Sequence, residues 1–457
     1  MAETIKEMIE KARAAQEAIK DYTQEQVDRL VYEAGKIIYD HARELAVMAV
    51  EETGLGDIEE KVLKNEETGA VMWEYLKDKK SVGLLDTKPD EKGMIAVAHP
   101  VGVVCAVTPA TNPTITPLGN FMQIMKGKNA TIVTPAPRAQ NTSFKSCEYI
   151  REALVACGAP ADLIQCVNPT SIEKTQELMR EADLIVATGS MGLTKAAYSS
   201  GTPAYGVGPG NCPVILDRGY DKPSMAAMSV ESIAGDNGML CDGNNLFLYP
   251  EEEEKEVFAA LEEAGVSVYT DKETVQVFRD TIFGEDGELV SGLVGKHAWK
   301  IADAAGVSFK KDNLVIGLKV DEIGKNEILC TEILSPVVIL KPYDTFENAV
   351  AMAIQNMEEC GGVGHTAGLF TNDHNHVLYA GERLPVSRVI VNQPSPYAWG
   401  PAQNGFAPSV SEGCGTWGNN IISNNVDYIH FINTSHIAYP LDVDVPTPAQ
   451  VFGYEDK

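Results

Sequence analysis

Cys241 stands in the stretch AGDNGMLCDGNNLFLYP (234–250), on polar, glycine-rich chain just before an apolar run. Most cysteines of soluble proteins pack as small hydrophobes. One held on irregular polar chain is placed to react, because its thiolate is a nucleophile. Cys414, in EGCGTWGNN (412–420), and Cys360 have comparable settings, whereas Cys105, Cys166 and Cys330 fall in apolar runs and read as core. Residue types alone leave Cys241, Cys414 and Cys360 as candidate nucleophiles. A thiolate that attacks a carbonyl needs a donor for the developing oxyanion. Asn112, in TPATNPTITP (108–117), follows a buried strand at the end where ligands bind in α/β sheets, and its side-chain NH2 suits that task. An asparagine among prolines is equally a turn former. His365, in GGVGHT (361–366), is either a base or a structural histidine.

Two glycine-rich stretches suggest phosphate or dinucleotide contacts. ATGSMGLTKAA (187–197) sets Gly189 and Ser190 at the opening of a helix, whose free amides favour an anion. YGVGPGNCP (205–213) is a glycine-dense turn between two strands and carries Gly206, Val207 and Gly208. Neither is a GxGxxG fingerprint, and tight turns that need left-handed backbone explain both as well.

The elements that must position these residues are legible as a pattern. Residues 2–50 place apolar side chains at helical spacing (Ile5, Met8, Ile9, Ala12; later Val27, Leu30, Val31, Ala34, Ile37, Ile38) and predict a helical layer. Strand and helix then alternate: strands at 102–109, 129–135, 163–167 and 184–189, helices over 113–126, 142–156 and 172–182. Fully apolar strands in strict alternation with helices predict a parallel sheet covered on both faces. The pattern restarts after Cys241, with strands at 245–250, 266–270, 333–344, 365–373 and 388–394 and helices over 251–264 and 345–359. Two such units leave a crevice between them for ligands. Segments 92–101 and 427–443 alternate like strands but lie outside both units, which predicts an extra sheet for subunit contact.

The net charge of −28 argues against nucleic acid or an anionic membrane as partner. Nine cysteines without a CxxC pair or a Cys/His cluster fit neither a disulfide framework nor a zinc site. The first residues, MAETIKEMIEKARAAQEAIKDY, lack the apolar core of a signal peptide, and no run is long enough for a membrane span. A soluble, cytoplasmic protein with reduced thiols is expected.

Taken together, PVGVVCAVTPATNPT, ATGSMGLTKAAYSSGTPAYGVGPGN, DNGMLC, ILSPV, GGVGHTAGLFTND, SRVIVNQP and GCGTWGNN resemble the CoA-acylating aldehyde dehydrogenases over essentially the whole chain. YTQEQVDRLVYEAGKIIYDHARELAVMAVEETGLG, LKDKKSVG and LPVSRVIVNQP are most similar to the acylating succinate-semialdehyde enzymes, with sulfoacetaldehyde and acetaldehyde enzymes close behind. The resemblance implies an α/β fold with two parallel-sheet domains and a small oligomerisation sheet. It divides the chain into a dinucleotide-binding domain over 1–228 (with the 92–101 strand contributing to oligomerisation), a catalytic thiol domain over 229–426 and an oligomerisation strand and tail over 427–457.

The resemblance also implies roles. Cys241 is the nucleophile, Asn112 with the Cys241 amide the oxyanion site, and His365 the group that assists transfer to CoA. Thr108, Pro109, Thr134, Pro135, Arg138, Gly189, Ser190, Gly206, Val207, Gly208 and Glu332 hold the NAD or NADP cofactor, with Glu332 on the nicotinamide ribose. A small aldehyde and CoA are the substrates, and a homodimer or dimer of dimers the assembly. Hydrolytic relatives carry a glutamate base where this chain has Gly206, which favours thiolysis over hydrolysis. They also place a lysine where this chain has Thr134. Arg138, four residues on, offers a fork suited to a 2′-phosphate, and TPAPRAQN has no carboxylate to hold a free 2′-hydroxyl. NADP(H) is therefore expected to serve at least as well as NAD(H).

Two departures stand out. CDGNN replaces the family's Ser/Ala-Ser-Glu-Gln after the cysteine, so Asp242 sets a carboxylate beside the nucleophile. SPYAWGPAQNG (395–405) brings Trp399 to a loop of small residues in the succinate-semialdehyde enzymes, where it would narrow the substrate channel.

Overall fold

The strands Val103–Thr108, Ala130–Pro135 and Ile164–Cys166 are buried along their whole length, so both faces of their sheet must be covered. In the computed structural model, which describes residues 3–454, these strands lie in a five-stranded sheet. Its order is Ile164–Cys166, Ala130–Pro135, Val103–Thr108, Leu184–Thr188, Ala204–Val207, and every pairing is parallel. The N-terminal helices form a layer whose apolar stripes join this core. Gln24–Asp40 buries Val27, Leu30, Val31, Ala34 and Ile38, one face of a helix capped by Thr23. Helix Ile58–Leu76, capped by Asp57, packs beside it and runs out to the crevice.

The second sheet has seven parallel strands, in the order Val266–Tyr269, Val315–Lys319, Val337–Tyr343, Asn244–Pro250, Cys212–Leu216, Gly364–Phe370, Val386–Val391. Apolar clusters cover its two faces. The strand Cys212–Leu216 corrects the boundary drawn at residue 228. It pairs with Asn244–Pro250 and Gly364–Phe370, so the chain crosses between the sheets at 208–211. Strand Val315–Lys319 lies in a stretch to which no element was assigned.

The two strands expected outside the units pair with each other. Met94–Pro100 runs antiparallel to Ile432–Ala438, from Met94 opposite Ala438 to Pro100 opposite Ile432, and Gly83–Leu84 completes a three-stranded sheet. Strand Ile432–Ala438 is exposed over nearly all its length. Residues 1–2 and 455–457, at the ends of the outer segments, lie outside the described residues. Among the described residues no helix is long and apolar enough to cross a membrane, and no group of side chains could hold a metal ion.

The site forms where opposite ends of the two large sheets meet. Thr108, Pro135 and Thr188 end strands of the first sheet. Loops 208–211, 235–243 and 361–363 enter strands of the second at their amino ends.

Candidate active site

Helix Lys222–Ala234 stops at Gly235, and the chain then turns sharply through Asp236, Asn237 and Gly238, all left-handed (φ 47°, 56° and 73°). Non-glycine residues rarely hold that conformation, so two in succession mark a loop fixed by its surroundings. Cys241 follows, before strand Asn244–Pro250. Gly210 lies against it so closely that a Cβ there would come 1.7 Å from the Cys241 carbonyl oxygen. Cys241 is exposed, whereas Cys414 is buried with its thiol 3.6 Å from the Glu412 carbonyl oxygen, and Cys360 ends helix Phe346–Cys360 in an intermediate position. Cys241 is the one exposed cysteine of the nine.

A cleft of about 280 Å³ brings Cys241 together with Asn112, Lys64, Asp242, Glu412 and Trp399. The Asn112 backbone oxygen accepts from the Thr116 amide at 3.2 Å, at the opening of helix Ile115–Lys126. Its side-chain Oδ1 accepts from Lys64 Nζ at 3.1 Å. A tighter cleft adjoins on the other side of Cys241, lined by Asn211, Asn244, Asn245 and Glu332. Burial raises the Glu332 carboxyl to about 8. Asn211 and Asn245 were not anticipated: Asn245 Nδ2 donates to Asn211 Oδ1 at 2.7 Å and to the Thr331 carbonyl at 2.8 Å. Asn211 and Asn245 together brace the entry to strand Asn244–Pro250.

The charges around the thiol oppose its ionisation. Desolvation by the crevice walls, then the carboxylates of Asp242, Glu412 and Glu332, push Cys241 well above the ordinary thiol range. Asp242 and Glu412 are themselves buried. Burial raises both, and for Asp242 the neighbouring Glu412 adds to it. Arg388, 2% exposed, partly offsets Glu412, with Nε 3.4 Å from Glu412 Oε2.

His365 lines neither cleft. It is 1% exposed at the start of strand Gly364–Phe370, its Nδ1 3.0 Å from Thr366 Oγ1. Burial, then the Arg388 guanidinium, lowers its pKa to about 3, so the imidazole is neutral. Arg388 donates to the His365 carbonyl at 3.1 Å and to Thr366 Oγ1 at 3.2 Å.

The other end of the crevice is a cleft of about 580 Å³ at the carboxyl ends of the five-stranded sheet. Thr108, Pro109, Thr134, Pro135, Gly189 and Ser190 line it, and no carboxylate is among its lining residues. Ser190 caps helix Met191–Tyr198, its Oγ accepting from the Leu193 amide at 3.4 Å. Thr108 Oγ1 is buried there without a protein partner, which fits a ligand that brings its own hydrogen bond. Thr170, Ser171 and Thr175 also line this cleft, and Thr134 Oγ1 meets Thr175 Oγ1 at 2.7 Å. Sequence reading missed them because they sit on the next crossover, in NPTSIEKT.

Arg138, Gly206, Val207 and Gly208 do not line this cleft. The exposed Arg138 spends its Nε on the Thr53 carbonyl at 2.8 Å. Gly206 is enclosed: a Cβ there would stand 2.8 Å from Thr194 Cγ2, and its N–H donates to the Tyr198 hydroxyl at 3.0 Å. A glutamate has no room at that position.

The chain is similar to known proteins in sequence and in fold. The chain is 45% identical to the acetylating succinate-semialdehyde dehydrogenase of Clostridium kluyveri, over 98% of this chain and 99% of that protein. It superposes on an acetylating aldehyde dehydrogenase from Geobacillus thermoglucosidasius with a TM-score of 0.92 and 33% identity, covering 97% of each chain. Propionaldehyde dehydrogenase of Rhodopseudomonas palustris, solved with bound CoA and an acylated cysteine, gives a TM-score of 0.86 at 25% identity, covering 96% of this chain and 98% of that one. The model of the aldehyde dehydrogenase family matches residues 1–285 and 299–414, a span that includes all three clefts and Cys241. An exposed cysteine between two parallel α/β units, an asparagine sharing its cleft and this match along the chain place the protein in the aldehyde dehydrogenase family.

Proposed function

We propose that this oxidoreductase interconverts a short-chain aldehyde and its acyl-CoA, using NAD(P) and a thioester on Cys241. The carrying observation is that Cys241 and Asn112 share one cleft while position 206, where a water-activating carboxylate would stand, is a walled-in glycine.

The Cys241 thiolate adds to the aldehyde carbon, and Asn112 Nδ2 with the Cys241 amide holds the oxyanion of the thiohemiacetal. The dinucleotide, held by Thr108, Pro109, Thr134, Pro135, Gly189 and Ser190 with Glu332 at its ribose, supplies the hydride acceptor when bound. Loss of hydride leaves a thioester on Cys241. The CoA sulfur attacks that thioester, its proton passes to a base for which His365 is the candidate, and acyl-CoA leaves as the Cys241 sulfur is released.

Succinate semialdehyde is the first candidate substrate, by likeness to the Clostridium kluyveri enzyme. A second reading rests on the lining of the thiol cleft. Glu60, Glu67 and Glu231 line it, and its one cation, Lys64, is already paired with Asp236. That balance favours an uncharged aldehyde such as acetaldehyde or propionaldehyde. Competition between succinate semialdehyde and propionaldehyde, read as kcat/KM, separates the two.

The exposed strand Ile432–Ala438 is proposed as the contact of a homodimer or dimer of dimers acting in the cytoplasm. The reaction class is tested by NAD(P)H formation with and without CoA. Sustained turnover only with CoA is expected, and abolished by Cys241→Ala but not by Cys414→Ala. Equal turnover without CoA would replace thiolysis by hydrolysis.

A further inference from the structure

Asn112 is gripped from two sides by lysines of helix Ile58–Leu76. Lys61 Nζ donates to the carbonyl of the preceding residue, Thr111, at 2.9 Å, and Lys64 Nζ donates to the Asn112 side-chain oxygen at 3.1 Å. Both ammonium groups converge on one oxygen, Asp236 Oδ2, at 2.7 Å each. The other carboxylate oxygen, Asp236 Oδ1, accepts from the Asp57 amide at 2.9 Å, at the N-cap of the same helix. Asp236 is fully buried, stands in the left-handed region, and lies five positions before the nucleophile.

The chemistry of the donor decides the orientation of the amide. An ammonium has three donors and no acceptor, so it can meet only the oxygen of an asparagine side chain. With Oδ1 committed to Lys64, Nδ2 is the half of the amide left for the cleft it shares with Cys241. Rotation of that amide would set two donors against each other beside a buried carboxylate, a costly arrangement.

We propose that Lys64 is a positioning residue for the oxyanion site: held by Asp236, it fixes Asn112 with its NH2 directed at the carbonyl that Cys241 attacks. The proposal rests on the reading of Asn112 as oxyanion donor. It gives the charged frame two duties at once. It sets the donor, and through Asp236 it fixes the loop that carries the nucleophile to the same helix, so donor and nucleophile share one reference point.

The test is a double-mutant cycle with propionaldehyde, whose uncharged tail gives Lys64 nothing to bind. Lys64→Met keeps the stem and removes the donor. It should lower kcat and the rate of the NAD(P)H burst about tenfold, with KM nearly unchanged, while Asn112→Ala loses roughly a hundredfold, as for one oxyanion donor. The double variant should be no slower than Asn112→Ala, because a residue acting through Asn112 has nothing left to act on. Circular dichroism and the melting temperature confirm that each variant is folded. If Lys64→Met is unfolded, Lys64→Gln, whose amide can still donate, takes its place and should lose less than tenfold.

Fully multiplied losses in the double variant would overturn the positioning role while leaving Asn112 as donor. A loss seen with succinate semialdehyde but not with propionaldehyde would also overturn it, in favour of a contact to the substrate carboxylate. An Asn112→Ala enzyme with wild-type burst would overturn both this inference and the oxyanion assignment.

Discussion

Gly210 packs against the backbone of Cys241 with no space for a side chain: a Cβ would stand 1.7 Å from the Cys241 carbonyl oxygen and 2.6 Å from its carbonyl carbon. Both clashes are with backbone, so no rotamer change relieves them. Gly210→Ala must therefore push the nucleophile loop away from strand Cys212–Leu216. We expect kcat to fall by about a hundredfold or more, since a displacement near 1 Å at a reacting atom costs that much. The Cys241 thiol should still react with iodoacetamide, and the melting temperature should fall only modestly because the clash is confined to loops. An alanine variant with native kcat would show that the loop does not need this seat.

Asp242 makes a second prediction. Its carboxyl, with that of Glu412, opposes formation of the Cys241 thiolate. Asp242→Ser restores the family's residue type and leaves Glu412, which Arg388 partly neutralises at 3.4 Å. The sign follows directly. Removing a negative neighbour stabilises the thiolate, lowers the thiol pKa and raises the thiolate fraction at neutral pH. The pH dependence of Cys241 alkylation should shift toward lower pH by a measurable fraction of a unit. A shift toward higher pH would mean that Asp242 acts chiefly as a proton acceptor for the thiol.

Both effects show where the sequence was readable. Strands such as Val103–Thr108 and Asn244–Pro250 were legible because unbroken apolar runs have few other uses. The pairing of Met94–Pro100 with Ile432–Ala438 was legible as two orphaned strands. The boundary at 228 was not, because Cys212–Leu216 looks like any buried parallel strand, and only its partners reveal which sheet it joins. Cys241 was marked by its polar setting, but neither Gly210 nor the Lys64–Asp236 frame leaves a local signal. Lys64 and Asp236 are 172 positions apart and meet only in the fold.

Cofactor choice is a third prediction, altered by the structure. Arg138 does not line the dinucleotide cleft and is tied to Thr53, so Arg138→Ala should change NADP(H) and NAD(H) kinetics to a similar, small extent. The hydroxyls of Thr134, Thr170 and Thr175 line the cleft without a carboxylate among them. Such a wall tolerates a 2′-phosphate and does not repel it, so kcat/KM for the two cofactors should agree within about tenfold, 1.4 kcal/mol. Thr175→Asp would add a charge that repels the phosphate and favours a free 2′-hydroxyl. It should push the preference toward NAD(H) by more than tenfold. Equal losses on both cofactors would show that Thr175 lies away from the ribose.

His365 carries the last prediction, in two measurements. Folded, its pKa lies at about 3, against 6.5 for a free histidine, because burial and then Arg388 oppose its charge. The unfolded chain therefore binds a proton that the folded chain refuses whenever the pH lies between those values. Stability from this group is fully present above about 6.5 and is lost progressively as the pH falls toward about 3. His365→Gln removes that loss, so its melting temperature should fall less steeply than that of the wild type on acidification from neutral pH to about 4.5, within that window. The same variant separates the two half-reactions. Imidazole can act as a base and glutamine cannot at any working pH. We expect a normal NAD(P)H burst followed by slow turnover, because hydride transfer precedes the step that needs His365. A lost burst with fast deacylation would move the residue to the first half-reaction. An intact steady-state rate with the flattened acid limb would leave His365 as a core histidine that braces Arg388 and nothing more.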